Sequence, residues 1–153
     1  MKVVIGADHG GFKLKNDLKK FLEEKGYDVD DAGPSKMDPD DDYPDYGKKV
    51  ADKVSKDGSD IGQTNVMGIL ICRSAAGVMI AANKVKGIRG VAVFDETAAK
   101  HSREHNDANV LGLSGDWLDE KKAKKIVTAW LETPYSNEER HTRRLKKIAA
   151  MER

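Results

Sequence analysis

Two stretches, Met67–Cys72 (MGILIC) and Gly90–Phe94 (GVAVF), decide how this chain folds. Both are short and apolar at successive rather than alternate positions. That pattern marks strands covered on two faces, as in a parallel sheet sandwiched between helices. Working outward, Lys2–Ala7 (KVVIGA) is a β-branched strand. Gly11–Lys25 carries Leu14, Leu18, Phe21 and Leu22 on one helical face, and Gly26 closes it. Tyr27–Asp31 reads as a second strand, and Val50, Ala51 and Val54 mark a helix beginning after Pro44. Ala76–Val85 and Glu96–Asn106 read as helices, with Asn109–Leu113 (NVLGL) as a fifth strand. Asp119–Glu132 presents Ala123, Ile126, Val127, Trp130 and Leu131 on its apolar side, and Glu138–Met151 forms a last helix. Strands alternating with helices at this spacing are βαβ units with right-handed crossovers. The expected fold is one α/β domain over residues 1–153: a three-layer, doubly wound, Rossmann-like sheet of five parallel strands with helices on both faces. Such sheets bind ligands beyond the carboxyl ends of their strands.

Composition narrows the function classes. The chain has 153 residues, 39% hydrophobic and 35% charged, with 27 Lys and Arg against 26 Asp and Glu. A net charge of +1 argues against a chain-wide nucleic-acid binder. No apolar stretch approaches the ~18–20 residues that span a membrane. The first apolar run is too short for a signal-peptide core, which points to a cytoplasmic protein. A single cysteine forms neither an intrachain disulfide nor a Cys-rich zinc site.

At the strand ends lie Asp8, His9, Gly10 and Gly11, then Cys72, Arg73 and Ser74, then Asp95, then Ser114 and Gly115. Asp8 and His9 suit acid–base chemistry or anion binding, or else Asp8 caps a helix over a glycine turn. The glycines do not match GxGxxG, so a dinucleotide site has little support. Cys72 is either a small buried hydrophobe or a thiolate favoured by the helix N-terminus that follows it, with Arg73 adding positive charge. The small residues from Ser74 to Gly77 let a substrate approach the backbone. His101 and His105 are four apart, but HSREH is not HExxH and no third ligand is evident. The acidic run Met37–Asp45 fails the calcium-loop test, since Tyr43 replaces the glycine and Lys49 the final glutamate. It reads as a solvated loop in which Tyr43 and Tyr46 are candidates for lining a site. Arg140 and Arg144 on the last helix are spaced to grip a phosphate together.

Several motifs occur together in one order: GADHGGF (Gly6–Phe12), DYPDY (Asp42–Tyr46), GILIC (Gly68–Cys72), IAANKVKGIRG (Ile80–Gly90), SREHNDANVL (Ser102–Leu111) and ERHTRR (Glu139–Arg144). This set closely resembles the type B ribose-5-phosphate isomerase family, which includes galactose-6-phosphate isomerase subunits, and it covers essentially the whole chain. The resemblance implies a doubly wound α/β fold and a homodimer, sometimes paired into a tetramer, with active sites shared across the interface. The last helix, about 138–151, would pack at that interface. It implies no cofactor, no metal, no nucleic acid and no membrane partner. The implied reaction interconverts an aldose phosphate and its ketose phosphate by ring opening and proton transfer through a cis-enediolate.

By resemblance, Cys72 is the base, Ser74 assists at the sugar oxygens, and Arg73–Gly77 forms the anion hole. His105 opens the ring, Asp8 contacts its oxygens, and Tyr43 and Asn106 position the substrate. His9, Arg140 and Arg144 hold the phosphate. His105 and Asn106 would complete the neighbouring subunit's site. Two positions depart from the pattern: Arg73 replaces the first glycine of a Gly-rich loop, and Asp116 stands where a phosphate-binding Arg is common. The expectation is that Arg73 supplies the missing charge. Rival readings are a six-carbon substrate such as allose or galactose 6-phosphate, and a protein that binds a sugar phosphate without turning it over.

Overall fold

The computed structural model describes residues 1–57, 59–63 and 65–152. The elements follow the expected alternation: β1 (Lys2–Ala7), α1 (Phe12–Glu24), β2 (Asp28–Asp31), α2 (Tyr43–Asp57), β3 (Val66–Cys72), α3 (Ala76–Ala82), β4 (Gly90–Ala92), α4 (Glu96–Asn106), β5 (Val110–Ser114), α5 (Glu120–Glu132) and α6 (Glu139–Ala149). All strand pairings are parallel and the order is β2-β1-β3-β5-β4. β1 therefore has its two sequence successors on opposite sides. The crevice where the winding reverses opens between the ends of β1 and β3.

β3 is buried at every position, and its alternate side chains serve two cores. Met67, Ile69 and Ile71 join Leu14, Leu18, Leu22, Ile126 and Trp130 beneath α1 and α5. Leu70 and Cys72 face the other way, with Val50, Val54, Val78 and Met79 of α2 and α3. This double burial is why MGILIC shows no alternation.

The boundaries differ at several ends, each for a local reason. A short 3-10 turn over His9–Gly11 precedes α1, with the Asp8 carboxylate accepting from the Gly10 N–H at 2.9 Å. Asp8 thus does cap the turn. Helix α2 begins at Tyr43, so Pro44 sits in the first turn, where its missing N–H costs nothing. Tyr43 and Tyr46 lie on this helix and not in a loop. Helix α3 stops at Ala82 and β4 spans only Gly90–Ala92. Asp119 is the N-cap of α5, its side chain accepting from the Lys122 N–H at 2.7 Å. The acidic run Met37–Asp45 is exposed apart from Asp41, whereas Asp30 and Asp31 of β2 are paired with lysines. Asp30 is bonded by Lys53, and Asp31 by the fully buried Lys15 and by Lys19. Among the described residues no helix is long and apolar enough to cross a membrane.

Candidate active site

The loops after β1, β3 and β5 meet at the carboxyl edge of the sheet. Gly115 N–H donates to the Cys72 carbonyl (2.8 Å), Asp116 N–H to the Arg73 carbonyl (3.2 Å), and the Ser114 hydroxyl to the same carbonyl (2.5 Å). A Cβ on Gly115 would lie 2.2 Å from the Gly10 carbonyl oxygen, so two backbones touch here and only glycine fits. Cys72 closes β3 with 4% of its surface exposed. Ser74 follows it, its hydroxyl accepting from the Ala76 N–H at 3.3 Å.

Ala75 is left-handed, with φ of 68°. Glycine adopts that conformation freely, while a residue bearing a Cβ is disfavoured there by ~1–2 kcal/mol. The turn nevertheless forms and leads directly into α3. Tyr43 reaches across from α2: a Cβ on Gly77 would lie 2.7 Å from its ring. The ring thus roofs the first turn of α3, which accounts for glycine at that position.

His9 stands on the β1 side of the crevice. Its ring Nδ1 lies 2.7 Å from Asp41 Oδ1, and its backbone N–H donates to the same oxygen at 3.0 Å. This bond raises the His9 pKa, outweighing partial burial of the ring; Asp8 also raises it and Arg73 lowers it. Burial raises the Asp8 pKa, partly offset by His9 and by the Gly10 N–H. Donor atoms of Asp8, His9 and Asp41 all lie within 4.8 Å of one another. The Nδ1 contact makes this a hydrogen-bonded cluster as it stands. Arg73 Nη1 lies 3.5 Å from Asp116 Oδ1, both side chains being largely exposed. The two unusual residues of the sequence are therefore neighbours, and the Arg73 charge is shared with Asp116.

The remaining candidates lie elsewhere. A helix between parallel strands runs back to the start of the next strand, so the end of α4 lies at the amino edge of the sheet. The contacts there agree: Gly62 N–H, just ahead of β3, donates to Asp107 Oδ2 at 2.7 Å, and Ser136 N–H donates to the Glu104 carbonyl at 3.1 Å. His105 and Asn106 occupy this end, separated from Cys72 by the seven residues of β3, a span of ~20 Å. The His105 ring stacks between His101 (centroids 5.0 Å apart) and His141 of α6 (4.5 Å). Burial lowers the His141 pKa, assisted by His105, Arg140 and Arg144. Arg140 and Arg144 thus belong to the same edge. Asp107 locks it, accepting from Arg103 (2.9 Å) and Arg89 (3.0 Å) as well as Gly62.

The structure thus brings Asp8, His9, Tyr43, Cys72, Arg73, Ser74 and Gly77 to the carboxyl edge. It places His105, Asn106, Arg140 and Arg144 at the amino edge of the same chain. Comparison with known proteins shows the family to which this arrangement belongs. The family model described as Ribose/Galactose Isomerase matches residues 3–148. The chain belongs to the ribose/galactose isomerase family. Its curated relatives include a probable ribose-5-phosphate isomerase B of Mycoplasma pneumoniae, 40% identical, covering 99% of this chain and 95% of that one. Among solved structures, ribose-5-phosphate isomerase B of Mycoplasma genitalium with bound ribulose-5-phosphate superposes with a TM-score of 0.91 at 41% identity, covering 97% and 94% of the two chains. The type B enzyme of Trypanosoma brucei gives 0.87 at 42% identity, covering 99% and 98%.

Sequence reading passed over Asp41 and His141, which the structure brings forward together with Tyr46, already a candidate for lining a site. Asp41 grips His9, and Tyr46 is pushed above the ordinary phenol range by burial and by the Asp41 carboxylate. His141 stacks on His105. Asp41 is one of several aspartates in MDPDDDYPD, and nothing in that spacing separates it from Asp38, Asp40 or Asp42. Its partner lies 32 positions away, a contact that local pattern does not encode. His141 is one cationic residue among many on α6, and only the packing of α6 on α4 distinguishes it.

Proposed function

We propose that this protein interconverts ribose 5-phosphate and ribulose 5-phosphate, using one carboxyl edge and one amino edge from two copies of the chain. The reading rests chiefly on Cys72, the only thiol, which lies at the β1–β3 crevice of a fold 41% identical to an isomerase solved with ribulose-5-phosphate. The separation of the two groups of candidate residues supports the second copy, since neither edge holds the whole set.

In this reading His105 of one copy moves a proton between the ring oxygen and the anomeric hydroxyl, opening the sugar, while Asp8 of the other orders those oxygens. The Cys72 thiolate removes the proton from carbon 2 of the open aldose. The electron pair forms the carbon 1–carbon 2 double bond, and the carbonyl oxygen becomes an enediolate oxygen. Backbone N–H groups of the Arg73–Gly77 loop stabilise that charge, which develops only as the proton leaves. The Ser74 hydroxyl relays a proton between the two oxygens, and Cys72 returns its own to carbon 1. Tyr43 and Asn106 hold the chain of the sugar.

His9, Arg140 and Arg144 anchor the phosphate, and its binding energy positions the reacting carbons. Arg73 is a further cation at the mouth. Its exposed pair with Asp116 is worth little, so it exchanges for a phosphate at small cost. This proton chemistry is complete without a metal or cofactor. We place the enzyme in the cytoplasm, where a thiol base stays reduced.

The test is isomerisation of ribose 5-phosphate by the purified protein with chelator present. Turnover supports the reading. Absence of turnover with ribose 5-phosphate, but activity on allose or galactose 6-phosphate, would reassign the substrate. Binding without turnover of any of them would leave a sugar-phosphate-binding protein.

A further inference from the structure

We propose that Asp41 is a positioning residue, locking the His9 imidazole with Nδ1–H turned inward and Nε2–H presented to the phosphate of the substrate. The proposal deepens the sugar-phosphate reading above and rests on it for the identity of the ligand. Its basis is geometric. One carboxylate oxygen, Asp41 Oδ1, accepts from both the His9 ring (2.7 Å) and the His9 backbone N–H (3.0 Å). A carboxylate only accepts, so Nδ1 is the protonated nitrogen of this contact. Two bonds from one residue to one oxygen fix the ring's direction as well as its tautomer.

The burial is asymmetric. The Asp41 side chain is 6% exposed and that of His9 27%. The carboxyl group is hidden and the imidazole faces the crevice. Asp41 Oδ2 is also buried, with Tyr46 of α2 beside the carboxyl group. A carboxylate is costly to bury, and a charged imidazole beside it offsets that cost. The environment favours the imidazolium on balance. Asp41 and Asp8 stabilise it, while partial burial of the ring and Arg73 from the β3–α3 loop oppose it. Behind Asp41, the Tyr46 phenol of α2 has its pKa raised by burial and by Asp41, with Asp38 and Asp45 acting in the same direction. His9 therefore has a fixed direction and surroundings that favour its cationic form, suited to a ligand carrying a dianion.

The test uses Asp41→Asn, which keeps an acceptor of the same shape and removes the charge. Two quantities are read. The first is the titration midpoint of His9, followed by NMR of the imidazole in chelator-treated protein, with and without inorganic phosphate. The second is the pH dependence of KM and kcat for ribose 5-phosphate. We expect the His9 midpoint to fall by about one pH unit in the variant. We expect KM near neutral pH to rise about five- to tenfold while kcat stays within about twofold. Asp41→Glu retains the charge but displaces it by one methylene. It should keep the midpoint raised and still weaken KM.

An unchanged His9 midpoint in Asp41→Asn overturns the proposal, as does a normal KM in both variants. A loss of kcat at constant KM would also overturn it. If ribose 5-phosphate is not turned over at all, the function fails. The inference about His9 then stands or falls separately, on the midpoint and on its response to inorganic phosphate.

Discussion

At the carboxyl edge of the sheet the loops after β1, β3 and β5 touch backbone to backbone, whereas the amino edge is tied by buried charge. Gly115 against the Gly10 carbonyl typifies the first, and Asp107 between Arg103, Arg89 and Gly62 the second. The consequence is chemical. Close backbone packing leaves the side chains of Cys72, Ser74, His9 and Arg73 around a crevice. The ion network consumes Arg89 and Arg103 but fixes the end of α4 that carries His105 and Asn106. In the proposed reading the first edge receives the sugar phosphate and the second presents His105 and Asn106 to another copy of the chain.

The comparison can be broken from either side. The largest effect belongs to the crevice. Cys72→Ala should lower kcat about 10³-fold with little change in KM, as read by steady-state kinetics, because a base acts in the transition state. Near-normal turnover would remove Cys72 from its role. On the other edge, Asp107→Asn leaves two guanidinium groups facing an uncharged partner. We expect a loss of about 3–5 kcal/mol in urea unfolding, with binding of inorganic phosphate at His9 retained wherever the variant is folded.

Acid should weaken the fold through two carboxylates of β2. Lys53 hydrogen bonding holds Asp30 below the usual carboxylate range. Burial pushes Asp31 up, but bonds from Lys15, the Gly33 N–H and Lys19 outweigh it and leave its pKa lowered. A pKa depressed by folding adds stability that is complete above the unfolded value of about 4 and is lost as pH falls through the folded value. The urea midpoint should therefore decline below about pH 4, and Asp31→Asn should flatten that decline. The smallest effect is Ala75→Gly. It relieves a left-handed alanine and should raise stability by about 0.5–1 kcal/mol, measured by urea unfolding.

These two edges were unequally legible in the sequence. The fold class followed from uninterrupted apolar runs, and Glu96–Asn106 matched its helix at both ends. The insertion of β5 between β3 and β4 was not readable, because strand order depends on crossovers and not on any strand's own composition. Cys72 was placed correctly at a strand end before a helix, since strand and helix periodicities both converge there. The start of α2 was misplaced because an acidic, proline-containing run resembles a loop. Its first turn in fact accommodates Pro44 and carries Tyr43 onto Gly77. Asp41 and His141 act through contacts made only after the chain has folded.

The most direct test of the two-edge account mixes two crippled proteins. Cys72→Ala loses the carboxyl-edge base and His105→Asn the amino-edge acid, so each alone should be inactive. If every site combines the carboxyl edge of one copy with the amino edge of another, unfolding and refolding the two together forms mixed dimers in which one of two sites is wholly wild type. Random pairing then predicts recovery of about a quarter of wild-type activity. Recovery at that level supports a site shared between copies. A co-refolded mixture that forms mixed dimers yet stays as inactive as its components would show that both groups act within one chain, contradicting the account.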